Sequence, residues 1–302
     1  MRVSVLLGCA AALFAAPAMA ADEPRRGAVG SDLFFSTDAE DTSVIRAGLN
    51  LDFVHEGPEK YYGVRVEKAW FEPLGGEREG RTRVYLRAAD DKGPWKWNAT
   101  IGTDGDTVLG SATIHDEAKF RKELFIEREI LETPLGLKRG IYYTFLGAAI
   151  DLPADDRNVV TLVGGVQKFT GDNVRTHLRA TAVHVFNPDQ GLSVQLRTRY
   201  FHNSDPREFD YYSPRWYVSA VPVLQIRRFT ASGWRYLLAG GVGVQRDADT
   251  DWRRSSYFNA QVSTPVRRAW SGNASLLFSE TPTTSGQSYN YLQLTFGVSR
   301  AF

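Results

Sequence analysis

Apolar and polar residues alternate along most of the chain with a period of two. In the last segment Leu292, Leu294 and Phe296 fall on one face of an extended strand, whereas Gln293 and Thr295 fall on the other. The same alternation recurs in six upstream segments: 43–55, 81–88, 174–183, 192–201, 256–264 and 270–278. One face is apolar and often aromatic, and the other carries Arg, Gln, Asn and Ser. The pattern therefore predicts an all-β protein.

The turn signals divide the chain into sixteen strands. They are predicted at 29–36, 43–55, 61–72, 81–88, 95–102, 107–115, 120–131, 141–151, 158–169, 174–185, 192–202, 215–228, 234–246, 256–265, 269–279 and 289–302. An even number lets both chain ends lie on one side of a transmembrane antiparallel up-and-down β-barrel, facing the periplasm. A soluble all-β periplasmic protein is the alternative. The polar face favours the barrel, because it carries Arg, Tyr, Gln and small residues rather than Lys.

Turn residues also predict the lengths of the connections. Segments 187–191 and 230–233 are rich in Asn, Pro, Gly and Ser, so we expect short periplasmic turns there. Segments 202–214, 246–254 and 280–288 are expected to form longer extracellular loops.

Segment 116–131 is ambiguous. Its Glu, Lys and Arg content and the spacing of Phe120, Leu124 and Leu131 also suit an amphipathic helix, which would reduce the count to fourteen strands. As a strand it places Lys122 and Arg128 on the lipid side, which costs about 2–4 kcal/mol at the bilayer centre and less near the rim.

The first twenty residues have the features of a secretory signal peptide. Arg2 precedes an apolar stretch, and Ala18 to Ala20 form a small-x-small cleavage site. We therefore divide the chain into a signal peptide, 1–20, and an outer-membrane β-barrel, 21–302. A lipidated Cys9 is the alternative, but only eight residues would precede it.

Composition narrows the function classes. The chain has 36 Lys and Arg against 35 Asp and Glu, without the basic excess of a nucleic-acid-binding protein. Its single cysteine excludes a disulfide framework and a thiolate zinc site.

Membrane insertion through strands is the expected route to the bilayer. No stretch after the signal peptide approaches the roughly 18 uninterrupted apolar residues of a spanning helix. Aromatic residues near strand ends suit two interfacial girdles; they are Trp70, Trp97, Trp216, Trp234, Trp252 and Trp270. We therefore expect the outer membrane of a Gram-negative bacterium, with its lipid as a partner.

The predicted lumen is rich in arginine. Thirteen bases have inward parity: Arg46, Arg65, Arg83, Arg87, Lys96, Arg121, Arg175, Arg179, Arg197, Arg199, Arg215, Arg227 and Arg235. Five acids share it: Asp52, Glu67, Glu123, Glu127 and Glu129. Such a lumen favours anionic or polyhydroxyl solutes, although the arginines could instead pair with the acids to hold the barrel shape. As the substrate path we select Arg83, Arg87, Arg175, Arg179, Arg197, Arg199, Tyr217, Arg227 and Arg235.

No catalytic or metal site is expected, and no cofactor. The five histidines are scattered, and His177 and His184 have opposite strand parity, so they cannot form a metal-binding pair. His202, beside Asp205 and Glu208, is explained by a solvated loop. The Gly240 to Gly243 segment resembles a phosphate loop, but it lies within a strand without a following helix.

The stretch from Glu208 to Val223, which contains Tyr211-Tyr212-Ser213-Pro214, resembles the C-terminal barrels of bacterial exopolysaccharide export porins. The cellulose-secretion subunit and the poly-N-acetylglucosamine porin are the family members it resembles. The resemblance covers about 195–245 plus the C-terminal strand, and it implies a sixteen-strand barrel that passes a growing glycan outward. Those porins usually carry a long tetratricopeptide superhelix before the barrel, whereas here only about Ala21 to Ala28 separate the predicted signal peptide from the first strand. The resemblance therefore implies that any periplasmic scaffold would be a separate protein.

Two functions follow as hypotheses. The first is a barrel that serves export or surface handling of a polysaccharide, with inward aromatics such as Tyr85 and Tyr217 stacking on sugar rings. The second is a passive diffusion porin or structural barrel with no dedicated glycan. An outer-membrane enzyme is the least favoured class.

Overall fold

A computed structural model describes residues 27–39, 42–73, 75–91, 93–265, 269–280 and 290–302. The proposed signal peptide, 1–20, lies outside these residues. Within them, the strands are β1 (Ala28–Thr37), β2 (Ser43–Gly57), β3 (Lys60–Glu72), β4 (Glu79–Asp90), β5 (Trp95–Thr103), β6 (Val108–Asp116), β7 (Lys122–Ile130), β8 (Tyr142–Pro153), β9 (Asn158–Phe169), β10 (Val174–Asn187), β11 (Leu192–Asn203), β12 (Trp216–Phe229), β13 (Arg235–Asp247), β14 (Thr250–Ser263), β15 (Trp270–Ser279) and β16 (Tyr291–Ala301).

These strands form one closed antiparallel barrel. Each strand pairs with its neighbours in sequence, and β1 closes the sheet by pairing with β16 from Ala28↔Ala301 to Thr37↔Leu292. Closure leaves no open sheet edge, so the backbone hydrogen bonds of the wall are satisfied within the sheet. We call the end that carries Gly27 and Phe302 the near end, and the opposite end the far end. The predicted sixteen-strand barrel is confirmed.

Segment 116–131 contains a strand, and the helical alternative is wrong. β7 pairs with β6 and β8 along its length, with Leu124 and Ile126 on the outer face, 56% and 44% exposed. Lys122 is the first residue of β7, and Arg128 lies two residues before its far end. Both charges therefore lie near a rim, where a long side chain reaches the interface at little cost.

The predicted loop 246–254 is mostly strand. β13 continues to Asp247 and β14 begins at Thr250, so Ala248 and Asp249 form the whole connection. Asp247 stabilises the turn because its Oδ1 accepts hydrogen bonds from Asp249 N and Thr250 Oγ1, both at 2.9 Å. The run of charged residues suggests a loop, although Asp247 and Arg253 are strand residues that form an ion pair.

The two short turns predicted at the near end are present. Gly191 N donates to Pro188 O at 3.0 Å, and Gly233 N donates to Thr230 O at 2.9 Å. Both glycines have positive φ, 68° and 85°, which a residue with a Cβ adopts less readily. The third predicted loop, 280–288, lies outside the described residues except for Glu280.

The outer face has two tryptophan belts around an apolar zone. At the far end the belt consists of Trp70, Trp216 and Trp252, and at the near end of Trp97, Trp234 and Trp270. Arginine guanidinium groups lie over the rings of Trp216 (Arg246, 5.8 Å) and Trp270 (Arg300, 5.4 Å). Aromatic rings beside cations are typical of the two interfaces of a membrane.

One short helix lies at the far end between β7 and β8. It is α1 (Pro134–Arg139), which begins after the N-cap Thr133 and ends at Gly140, whose φ is 63°. Among the described residues, no helix is long and apolar enough to cross a membrane. The side chain of Leu137 is buried in a cluster that includes inward-facing Val44 and Phe71. The helix therefore packs against the inside of the wall.

Candidate functional site

The lumen is the candidate site, and strand register determines what faces it. Residues paired directly across two strands lie on the same face of the sheet, so the lumen-facing set can be followed from strand to strand. Lumen-facing pairs include Phe34↔Arg46, Glu67↔Arg83, Arg179↔Arg199 and Ser219↔Gln245. All nine residues selected from the sequence have this parity. Two of the thirteen predicted inward bases, Arg121 and Arg215, lie in connections and not in strands.

One side of the lumen carries arginines and carboxylates in alternation. We call this chain of residues the paired wall, and it comprises Asp32, Arg65, Glu67, Arg83, Glu129, Arg46 and Glu132. Every arginine in it contacts two acids, so most of the charge is neutralised within the wall. The arginines of the paired wall therefore pair with acids and hold the barrel shape, which is the second of the two roles considered for the lumen arginines.

Arg83 lies at the centre of the paired wall and is completely buried. Its Nη1 donates to Glu67 Oε1 at 3.1 Å, and its Nη2 donates to Glu129 Oε1 at 2.8 Å. The paired wall ends with Arg46, which contacts Glu132, a residue just beyond β7. Burial raises the pKa of the Glu132 carboxyl, and the neighbouring Arg46 opposes that shift. Arg83 therefore stabilises the wall and offers no free guanidinium to a solute.

The opposite side carries arginines with few carboxylates, and we call Arg179, Arg197 and Arg199 the arginine wall. In the described ranges, Arg179 and Arg197 have no carboxylate oxygen within 4 Å. The Arg197 guanidinium lies 4.4 Å from the Tyr257 ring centre, and its Nε donates to Gln195 Oε1 at 2.9 Å. These contacts orient the guanidinium without neutralising it.

A cavity of about 460 Å³ lies between the two walls. Its lining includes the arginine wall on one side, Glu127 and Glu129 on the other, and hydroxyl groups of Thr181 and Ser219. It shares Arg46, Glu127 and Glu129 with a second cavity of about 580 Å³. That second cavity shares Asp32, Asn50, Tyr61 and Arg87 with a third, of about 1020 Å³, at the near end. Adjacent cavities thus run from the near end to the arginine wall.

The remaining selected arginines on β4, β12 and β13 lie toward the near end. Arg87 pairs with Asp52 (Nε to Oδ1, 3.3 Å) and lies 4.3 Å from the ring centre of Tyr61. Arg227 and Arg235 are exposed at the near ends of β12 and β13. These two residues line the entrance and not the waist.

Arg175 and Tyr217 hold the structure together at the far end. The Arg175 guanidinium is buried, donates to Asn203 Oδ1 at 2.8 Å and to Tyr212 O at 2.5 Å, and lies 4.6 Å from the Phe201 ring centre. Tyr217 is completely buried, stacks on Phe201 at 4.9 Å and donates to Gln245 Oε1 at 2.8 Å. Neither side chain has a surface open to the lumen, so sugar stacking on Tyr217 is wrong for this conformation. Tyr85 is also nearly buried, at 6% exposure.

The connection from β11 to β12, residues 204–215, folds inward over the far end. Tyr211 is 2% exposed, stacks on Phe169 at 4.4 Å and accepts a hydrogen bond from Asn173 Nδ2 at 2.7 Å. Asp210 accepts from Thr133 Oγ1 and Leu135 N, both at 2.7 Å. Burial raises the pKa of Tyr211 well above its ordinary value. The loop and α1 together narrow the far opening.

The histidines stay apart, as their parity predicts. His177 is buried and its Nε2 lies 2.9 Å from Gln167 Oε1, whereas His184 lies on the outer face beside Asn158. Among the described residues, no group of three His, Cys, Asp or Glu side chains could hold a metal ion. The glycines from 240 to 243 lie within β13, as predicted for barrel-wall glycines.

Sequence reasoning missed several lumen residues. Asp32 lies in a predicted strand with inward parity, so the period-two pattern could have found it. Tyr257 lies on β14 with inward parity, beside the outward-facing Phe258, so two adjacent aromatic residues obscure the alternation there. Glu132 has no such signal, because it follows the last residue of β7.

Comparison with known proteins yields a structural likeness. No protein-family model matches the chain, and no curated protein matches it. A solved structure described as "Bacterial polysaccharide outer membrane secretin" is 13% identical over 93% of this chain and 100% of its own, with a TM-score of 0.68. OprD of Pseudomonas aeruginosa is 9% identical over 92% of this chain and 94% of its own (TM-score 0.45), and the KdgM porin is 10% identical over 90% and 99% (TM-score 0.37). At such identities the likeness to the secretin concerns the fold.

The fold and its surface establish the location. A closed sixteen-strand barrel with an apolar outer face between aromatic belts is the architecture of an outer-membrane protein of a Gram-negative bacterium. An even number of strands puts the start of β1 and the end of β16 at the same end of the barrel, and the short turns of that near end are those of the periplasmic side. The far end, with α1 and the 204–215 loop, then faces the exterior.

Proposed function

We propose that this barrel is a narrow channel for anionic, hydroxyl-rich solutes, with an acidic polysaccharide leaving the cell as its substrate. The observation that carries the proposal is the cavity between the walls. There, Arg179 and Arg197 face open space without a carboxylate within 4 Å in the described ranges. The positive field of these guanidinium groups attracts anions. Because the barrel wall excludes most water from the cavity, this field is screened less there than in bulk solvent.

Sugar chemistry fits the rest of the lining. Arginines bind carboxylates through paired hydrogen bonds, and hydroxyl and amide side chains such as Thr181, Ser219 and Gln293 suit sugar hydroxyls. The half-buried Tyr257 ring offers an aromatic surface next to Arg197. The neighbour with a TM-score of 0.68 is described as a polysaccharide secretin, which agrees with this substrate class.

A passive porin for small anions is the second candidate, because the cavities continue from the near end to the waist. The two functions differ in what the far end must do. An exporter is narrow there and holds its chain, whereas a porin conducts steadily. The inward folding of residues 204–215 favours the exporter.

Ion selectivity in planar bilayers tests the channel proposal. The wild-type barrel should prefer Cl⁻ to K⁺, and the double variant Arg197→Glu, Arg199→Glu should reverse the sign of the reversal potential in a salt gradient. The milder Arg197→Gln, Arg199→Gln pair should abolish the preference if the first variant fails to fold. The matched control is Arg228→Glu, Arg300→Glu, which makes the same charge change on the outer face. Equal selectivity in all barrels would overturn the proposal.

Block by sugar chains separates the exporter from the porin. A uronic-acid oligosaccharide added to the periplasmic side should interrupt the current, and a neutral glucan of equal length should not. Steady current with both sugars would support the porin. Deletion of the gene then gives an independent readout, since an exporter changes surface polysaccharide and a porin changes outer-membrane permeability.

A further inference from the structure

Two arginines face the lipid at the far end of β13 and β14. Arg246 pairs with Val218 on β12, and Arg254 pairs with Val244, two residues before Arg246. The β13–β14 register shifts between Gln245 and Asp247, so Arg246 lies diagonally across from Arg254 at the irregular end of this pair. Their sequence neighbours Gln245 and Arg253 face the lumen, which places Arg246 and Arg254 on the outer face. Diagonal neighbours lie about 7–8 Å apart at Cα, within reach of one small anion for long side chains.

Their position matches the extracellular interface of the membrane. Trp216 and Trp252 of the far tryptophan belt flank the pair, and the Arg246 guanidinium lies 5.8 Å from the Trp216 ring centre. Toward the bilayer centre the same face carries Val244 and Val242, which are 46% and 52% exposed. The two cations therefore lie where the apolar zone of the wall meets the headgroups.

Neither cation is neutralised by the protein in the ranges that the structure describes. Neither has a carboxylate within 4 Å there, and the buried Nε of Arg246 has no hydrogen-bond partner there. Arg254 Nε donates to Ser256 Oγ at 3.0 Å, and its two terminal nitrogens make no hydrogen bond to a residue of the described ranges. Glu280 is the nearby acid, and its carboxylate accepts the backbone N–H of Ser256.

We propose that Arg246 and Arg254, flanked by Trp216 and Trp252, bind a phosphate group of the outer-leaflet glycolipid. Two adjacent guanidinium groups repel each other, and snorkelling to water does not remove that repulsion. A phosphate between them supplies the counter-charge and accepts several of their N–H donors. The tryptophan rings then pack beside the sugar and the first part of the acyl chains. The site is independent of the lumen, so its failure would leave the channel proposal unchanged.

Native mass spectrometry of the detergent-purified barrel tests the site. The probe is bisphosphorylated lipid A, and dephosphorylated lipid A is the comparison. The wild-type barrel should retain the phosphorylated lipid, and the variant Arg246→Gln, Arg254→Gln should bind it about tenfold more weakly or worse. Dephosphorylated lipid A should bind both barrels alike.

The matched control removes the same charge from the opposite leaflet. Arg228→Gln, Arg300→Gln loses two lipid-facing arginines at the near end and should retain lipid A like the wild type. Inorganic phosphate added in excess should not displace the lipid if a headgroup is the ligand; displacement would indicate a site for free phosphate and overturn the lipid assignment. Equal retention by the wild type and the far-end variant, both folded by circular dichroism, would overturn the site itself.

Discussion

Replacing the buried Arg83 with methionine, an unbranched residue that keeps the apolar stem but lacks the charged group, should destabilise the barrel strongly. Removing one partner of a buried ion pair costs about 3–5 kcal/mol, because the remaining charge stays desolvated. Glu67 would keep Arg65 at 2.7 Å, whereas Glu129 would keep only the more distant Arg46, at 3.8 Å, as an ion-pair partner among the described residues. Only Glu129, and not Glu67, would lose most of the positive charge that neutralises it. We therefore expect a loss in the lower part of that range, about 3 kcal/mol.

Urea unfolding in detergent micelles, followed by tryptophan fluorescence, measures this loss as a change in the free energy of unfolding. The second variant, Arg83→Met with Glu129→Gln, removes the stranded charge and should recover about 1 kcal/mol or more. Arg227→Met is the matched control, since Arg227 faces the lumen but is exposed, and it should change stability by about 0.5 kcal/mol or less. If Arg83→Met cost no more than Arg227→Met, the paired wall would contribute nothing to stability and this reasoning would be wrong.

Two further predictions concern the wall and the far-end loop. Gly241→Ala places a Cβ 2.0 Å from the backbone oxygen of Pro222, so it should cost about 1–3 kcal/mol in the same urea assay. Gly240→Ala has nothing closer than 3.8 Å and should be tolerated; equal losses would refute the steric argument. For Tyr211, burial raises the pKa in the folded loop. The folded state therefore holds the phenolic proton of Tyr211 more tightly than the unfolded state does. The resulting contribution to the free energy of unfolding is fully present below the ordinary tyrosine pKa of about 10 and is lost as the pH rises above it. Limited proteolysis of residues 204–215 should accelerate above that pH in the wild type and less in Tyr211→Phe; identical profiles would exclude Tyr211 as the cause.

The barrel was predictable because a membrane wall imposes one rule on every residue of a strand. Alternate side chains meet lipid or lumen, so a period of two along 192–201 or 270–278 already specifies both faces. The same rule gave the nine selected residues inward parity and put six tryptophans near strand ends on the outer face; whether the nine residues form a substrate path stays a prediction. It failed at 246–254, where several charged residues suggested a loop although the strands continue almost to the turn, and it left 116–131 undecided because charge obscured the alternation.

Parity alone cannot distinguish a lumen arginine that faces a solute from one that holds the wall. Arg83 and Arg197 have the same parity and the same charge, yet Arg83 contacts the buried Glu67 and the partly buried Glu129, and Arg197 faces a cavity. The two arginines differ because different strands lie beside them and across the barrel from them. Barrel closure and strand register determine those neighbours, and a local sequence pattern does not encode contacts over such distances. Likewise, Arg175 and Tyr217 are buried by residues distant in the chain, among them Tyr212 of the inward-folded connection 204–215. The sequence by itself determined the wall and its two faces; the tertiary structure decided which inward charges remain open, because pairing and burial depend on residues far apart in the chain.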